Sequence, residues 1–269
     1  MQTIRRAGNR DDRAVSEAIG FILIFAIIIA GIGMVTLYGY PMLLQQQSSS
    51  NEQIMEKNMI VLQNDLKSLA YKTVPYQETS LKVDGGALTV YNMSYNNATE
   101  SHFSIYDQSG IIAPQSHPIV FYPGDLQYES TSAQTDLSLE NGAVLKRMIA
   151  QTGSTMLAEP RWFYDGQTNT AVIYLIGFES TDVMALEGVG TVKMDLDQGN
   201  SNYTVYNIPS TDTIHVEYMA NTNADYSTGW ENYFTGTLGM ISDGIGGYQF
   251  DPTPTTVVIY TYEIVIESV

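Results

Sequence analysis

The chain has 269 residues and no cysteine, which excludes disulfide staples, thiolate metal sites and a cysteine nucleophile. Its formal charge is −17: Arg5, Arg6, Arg10 and Arg13 against Asp11 and Asp12 give residues 1–14 a net +2, so the remainder carries −19. An acidic body of that kind repels nucleic-acid phosphates, which excludes nucleic acid as a partner, while a hydrophobic fraction of 44% is enough for a buried core.

From Ala18 through Leu44 there are 27 residues without a charged side chain. A helix needs roughly 20 apolar residues to cross the hydrocarbon core of a bilayer, so this segment predicts a single membrane-spanning helix. The arginines on its N-terminal side place that end in the cytoplasm and the bulk of the chain outside, as an extracellular C-terminal domain. A cleaved secretory signal has a shorter apolar core and a small-x-small cleavage site. Here the run leads instead through Gly39-Tyr40-Pro41 into a polar stretch; a plain signal anchor is the alternative. Tyr38 and Tyr40 fall at the outer headgroup level, and Pro41 predicts a kink there. Gly20, Gly31, Gly33, Ala26 and Ala30 offer small surfaces for close helix contact, or are simply tolerated in a membrane helix.

After the polar stretch Gln45–Asn51, Met55, Met59, Leu62, Leu66 and Leu69 recur at helical spacing and define one apolar face. That predicts an amphipathic stalk helix over 45–74, packed on a globular domain and ended by Pro75. Beyond it the texture becomes β. Leu81–Val83 and Ala87–Tyr91 around Asp84-Gly85-Gly86 read as strand, tight turn, strand. Further strands are predicted at His102–Tyr106, Ile119–Tyr122, Gly142–Arg147, Thr170–Phe178, Thr191–Asp195, Tyr203–Asn207, Thr213–Tyr218 and Thr256–Ile266, with a short helix at Ser227–Phe234 capped by Ser227. The fold class is therefore a long N-terminal α-helix, transmembrane plus stalk, followed by an all-β, sandwich-like acidic domain over 75–269, α+β overall.

Motifs for chemistry are sparse. His102, His117 and His215 have no second histidine at ligand spacing. Asp195-Leu196-Asp197-Gln198-Gly199-Asn200 begins like a calcium loop, but Gly199 is fifth where the loop needs glycine sixth, and Tyr206 stands at the twelfth place; a turn between strands is the expectation. No Gly-x-Ser-x-Gly and no phosphate-binding loop is present. The expectation is a protein that is not an enzyme, with no catalytic residue, metal or cofactor. The 19 tyrosines suit strands with one wet face.

Asp11-Asp12-Arg13-Ala14-Val15-Ser16-Glu17-Ala18-Ile19-Gly20 resembles the class III signal sequence of archaeal type IV pilin-like proteins. The resemblance is specific over residues 11–44. It implies that a prepilin peptidase cuts between Ala14 and Val15, after Arg13, dividing the chain into a basic leader (1–14), an assembly helix (15–44), the stalk and the head. Many such proteins carry proline where this chain has Glu17, and the bacterial pilin glutamate stands at the fifth mature position, whereas Glu17 would be third. Glu17 and Gly20 are the candidate assembly residues. The stretch from Leu137 to Pro160, with its Asn141-Gly142 hairpin, is similar to the heads of pilin-like proteins sharing this N-terminus. The resemblance also gives weight to three glycosylation sequons, at Asn92, Asn97 and Asn202. It implies a structural cell-surface subunit of a filament or its assembly complex, a minor one given the size of the head. Its partners would be the membrane, the peptidase and other pilin-like subunits. The alternative is a monomeric, membrane-anchored binding or adhesion domain.

Overall fold

The computed structural model describes residues 11–72, 74–93, 100–110, 112, 117–131, 134–182 and 184–269, with side chains from Ser16 onward. Two compact units are present, Met1–Ser50 and Asn51–Val269.

The first unit is helical. Helix α1 (Asp11–Met34) passes through a π-helical turn at Val35–Gly39 into helix α2 (Tyr40–Lys72). The turn sits immediately before Pro41, where proline removes one N–H from the ladder and its ring would meet the carbonyl four residues back. The wider turn absorbs the misfit: the Tyr40 N–H bonds the Val35 carbonyl, five residues back. The helix continues through the proline rather than stopping at it. Apolar side chains are exposed on all sides from Ile19 to Leu44, for example Phe21 and Leu37 at 70% each. A helix apolar all round, unlike an amphipathic one, asks for lipid or sister helices on every face. At 1.5 Å per residue, 27 residues cover about 40 Å, more than the roughly 30 Å of a hydrocarbon core.

In the second unit the described residues form fourteen strands in two sheets. In chain order they are β1 (Tyr76–Tyr91), β2 (His102–Tyr106), β3 (Ile119–Phe121), β4 (Asp125–Ser130), β5 (Thr135–Glu140), β6 (Ala143–Met148) and β7 (Ser154–Ala158), followed by β8 (Phe163–Asp165), β9 (Thr170–Glu179), β10 (Ala185–Asn207), β11 (His215–Met219), β12 (Ile241–Ser242), β13 (Tyr248–Gln249) and β14 (Thr256–Ser268). The larger sheet runs β7-β6-β5-β4-β1-β10-β14-β9-β8, antiparallel except where β14 lies parallel to β9. The smaller runs β12-β13-β11-β2-β3. A short helix α3 (Ser227–Asn232) packs against β7 of the larger sheet and β11 of the smaller.

Alternation along the strands separates two cores. Met55, Met59, Leu62, Leu66 and Leu69 of α2 are fully buried against one face of the large sheet, with Leu126, Tyr128, Leu137 and Leu139. Each such side chain contributes about 1.5–3 kcal/mol over its exposed state. On β6, Val144 joins this core while Ala143 and Leu145 join the other, built with Phe103, Trp162, Tyr218, Trp230 and Phe234. Strand β14 also serves both cores, with Val257 and Ile259 in one and Ile264 and Ile266 in the other. Gln63, buried on the apolar face of α2, gives both bonds of its amide to backbone: Nε2 donates to the Gly142 carbonyl at 2.7 Å and the Glu159 carbonyl at 2.9 Å. Lys146 adds ion pairs to Glu52 and Glu56, each at 2.7 Å.

The head is thus mostly β, with a helix covering one face of the large sheet, and the chain is α+β overall, as expected. Three local expectations are corrected. Asp84-Gly85-Gly86 is not a hairpin turn. It is a bulge within β1: Val83 pairs Gly188 and Leu88 pairs Leu186, leaving four residues against one between them, so the strand bends and its second half pairs β4. Gly86 is needed there because a Cβ would overlap the Glu129 carbonyl oxygen and the Tyr128 ring. Asp195–Asn200 is likewise not a turn between strands. It lies inside β10, where a second bulge lets the Asp197 carboxylate accept the Gly199 N–H at 2.7 Å. Finally, Ser227 does not cap α3; the Asp225 carboxylate accepts the Ser227 N–H at 2.8 Å.

Candidate functional site

The residues singled out in the sequence do not converge. Arg13, Ala14 and Val15 lie in the first turns of α1, where side chains are outside the described residues. Glu17 and Gly20 are exposed on the same helix, and a Cβ on Gly20 would meet nothing. Asn97 is outside the described residues. Asn202 is exposed on β10. Asn92 is exposed too, but its Nδ2 donates to the Ser180 carbonyl at 2.8 Å and its Oδ1 accepts from Ser180 Oγ at 2.6 Å.

The three histidines are apart. His102 and His117 bond nearby backbone carbonyls. His215 Nδ1 meets Asp243 Oδ2 at 3.0 Å under the stacked ring of Tyr106. Burial raises the Asp243 pKa, but bonds from the Ile245 and Gly247 N–H groups and from His215 outweigh it and leave the carboxyl below its usual range. Among the described residues no three His, Asp or Glu side chains could share a metal ion. The tyrosines form a ladder instead: Tyr174 stacks on Tyr260 at 5.0 Å and meets the edge of Tyr71 at 4.9 Å, with Arg161 over Tyr71.

A site does form on the polar face of β4–β5–β6, away from α2. Apolar residues at Leu126, Tyr128, Leu137 and Leu139 face the helix. The alternate positions Asp125, Gln127, Asp136, Glu140 and Arg147 line a cavity of about 590 Å³, closed on another side by Asn221–Tyr226 before α3. The hairpin that sets this register turns at Asn141-Gly142, with φ of +47° and +76°, the paired left-handed conformation that Asn-Gly accommodates.

The polar groups here fall into two sets. In the first, Glu140 is satisfied: Oε1 accepts from Trp230 Nε1 at 3.1 Å, and Oε2 meets Ser101 Oγ at 2.8 Å and Tyr218 OH at 3.3 Å. Asp125, directly opposite Glu140 in the β4–β5 register, accepts from Ser138 Oγ at 2.6 Å. Burial, then the Asp125 charge, pushes Glu140 up to about 8 against those three bonds. Burial pushes Asp125 up to about 7, opposed by Ser138 and reinforced by Glu100 and Glu129. In the second set the bonding is incomplete. Arg147 Nη2 donates to Asp136 Oδ2 at 2.6 Å, but Asp136 Oδ1, Arg147 Nε and the Tyr226 hydroxyl are buried without a partner among the described residues. Asp136 and Tyr226 are only 2% and 1% exposed. These residues come from two strands and a loop, so no local motif marks them.

Among the described residues one N-terminal helix, Ser16–Lys72, is long and apolar enough to cross a membrane; joined to a mostly β head, it defines the class of the chain. The protein belongs to a family of unknown function, DUF7289, which matches residues 13–267 and so takes in both helix and head. A relative described as an uncharacterised protein of Archaeoglobus fulgidus is 23% identical over 232 residues, covering 73% of this chain and 74% of the relative. No solved structure matches.

Proposed function

We propose that the protein is a non-enzymatic cell-surface component of the type IV pilin-like class, anchored by its N-terminal helix and presenting the acidic head outside the cell. The observation that carries this reading is the helix apolar on all sides from Ile19 to Leu44, continued by a helix whose far end is built into the core of the head. Such a helix can stay in the bilayer or leave it by packing against sister helices. In this reading a prepilin peptidase removes the leader after Ala14, Glu17 and Gly20 contribute to helix contacts, and Asn92, Asn97 and Asn202 are candidates for glycosylation. The test is fractionation of native cells. Recovery in membranes that resist alkaline carbonate, with the head cut by protease added to intact cells, supports the anchor and its orientation; recovery in sheared filaments supports assembly. A soluble protein, or a head shielded from external protease, contradicts it. The cavity favours a second reading on the same anchor: a monomeric binding head, which would be found in membranes and be absent from filaments.

A further inference from the structure

We propose that the β4–β5–β6 cavity binds a neutral polyhydroxylated ligand, a carbohydrate, through Asp136, Arg147 and Tyr226. Buried polar atoms left without partners are costly and uncommon in folded proteins. Here three such atoms, Asp136 Oδ1, Arg147 Nε and the Tyr226 hydroxyl, have no partner among the described residues and belong to side chains whose residues line one cavity. Asp136 and Arg147 are paired across β5–β6, and their other atoms already meet at 2.6 Å. Their free atoms therefore offer an acceptor and a donor side by side.

The complement of that set decides the ligand's chemistry. Asp136 Oδ1 needs a donor and Arg147 Nε–H needs a lone pair; the Tyr226 hydroxyl can give or accept. An ammonium has no lone pair for Arg147. A carboxylate has no proton for Asp136, and Glu100 and Glu129 on the same walls would repel it and a phosphate alike. A metal ion lacks its three ligands among the described residues. A hydroxyl donates and accepts at once, and neighbouring hydroxyls on a sugar ring can serve all three atoms. Water could do the same, but about 590 Å³ is far more than a few waters fill and falls in the range of small-molecule sites. Tyr91, Ile149 and Ala224 supply apolar wall for the ring's C–H face.

The experiment is saturation-transfer NMR on the full chain in a detergent without a sugar headgroup. The probes are glucose, galactose, mannose, N-acetylglucosamine and β-linked disaccharides of each at millimolar concentration, beside spermidine and glutamate, with calcium chloride added as a competitor of the sugar signal because it carries no proton to observe. Transfer to at least one neutral sugar is expected, weakened roughly tenfold in affinity by Tyr226→Phe, as loss of one hydrogen bond predicts, and abolished by Arg147→Met. Tyr226→Phe removes a hydroxyl that has no partner, so the variant folds and keeps the test meaningful. Transfer from none of the sugars, or sugar binding unchanged in both variants, overturns the proposal. So does binding of spermidine, glutamate or calcium at this cavity in place of sugar.

Discussion

Glu140 on β5 accepts a hydrogen bond from the indole of Trp230 on α3, Oε1 to Nε1 at 3.1 Å. This bond joins the large sheet to the short helix that follows the loop carrying Tyr226. The two hydroxyls near Oε2 can accept as well as donate, so a protonated Glu140 is accommodated without breaking the Trp230 contact.

That geometry sets a pH dependence. Between its ordinary value of 4.5 and about 8, Glu140 holds its proton in the folded head and has lost it in the unfolded chain. The folded state then binds more protons, so stability falls as pH rises through this window and levels off above it. Asp125 contributes in the same direction from 3.8 to about 7. Thermal unfolding is expected at a higher temperature at pH 5 than at pH 8.5, with Glu140→Gln flattening the upper part of the slope. A wild-type midpoint that rises toward pH 8.5 would contradict the assignment.

The unpartnered Tyr226 hydroxyl costs stability when the cavity holds no ligand. Tyr226→Phe is expected to leave the free protein as stable as wild type or up to about 1–2 kcal/mol more stable, measured by urea unfolding at pH 5. A loss of similar size would mean that the hydroxyl has a partner.

The stalk helix is held by packing first and by polar contacts second, the buried Gln63 amide among them. Leu62→Ala should cost about 2–5 kcal/mol by opening a cavity in a fully buried site. Gln63→Ala should cost about 1–3 kcal/mol, because it removes the side-chain donor of the buried Gly142 carbonyl and leaves the Glu159 carbonyl only Lys67 Nζ, at 3.1 Å. Equilibrium denaturation read by tryptophan fluorescence separates the two.

The bulge in β1 requires Gly86. Gly86→Ala drives a methyl group into the Glu129 carbonyl oxygen, and since backbone cannot yield as a side chain can, a loss of at least about 2 kcal/mol is expected. Chemical denaturation that shows no loss would place the bend elsewhere.

The helix was legible in the sequence because its signals are local: an uncharged run, a proline, and five apolar residues at helical spacing that all prove buried. Strands rich in β-branched residues, such as Thr170–Glu179 and Thr256–Ser268, were equally plain. The two bulges were not. Asp-Gly-Gly carries the same local chemistry in a hairpin and in a bulge, and what decides is the partner strand β10, more than a hundred residues away in the chain. Strand β4 and the start of β5 were missed because alternate positions are carboxylates, which read as loop. Yet the alternation of Asp136, Ser138 and Glu140 with Leu137 and Leu139 is the pattern of a strand with one polar face, and that face is the cavity wall. Arg147 and Tyr226 reach it through register and through the loop before α3, which no spacing records.

The most direct test of the proposed class is the N-terminal sequence of the protein purified from native membranes. Cleavage after Ala14 predicts Val15 as the first residue, with the apolar helix retained. An intact Met1 would contradict processing by a prepilin peptidase, and a first residue beyond Leu44 would contradict the anchor itself.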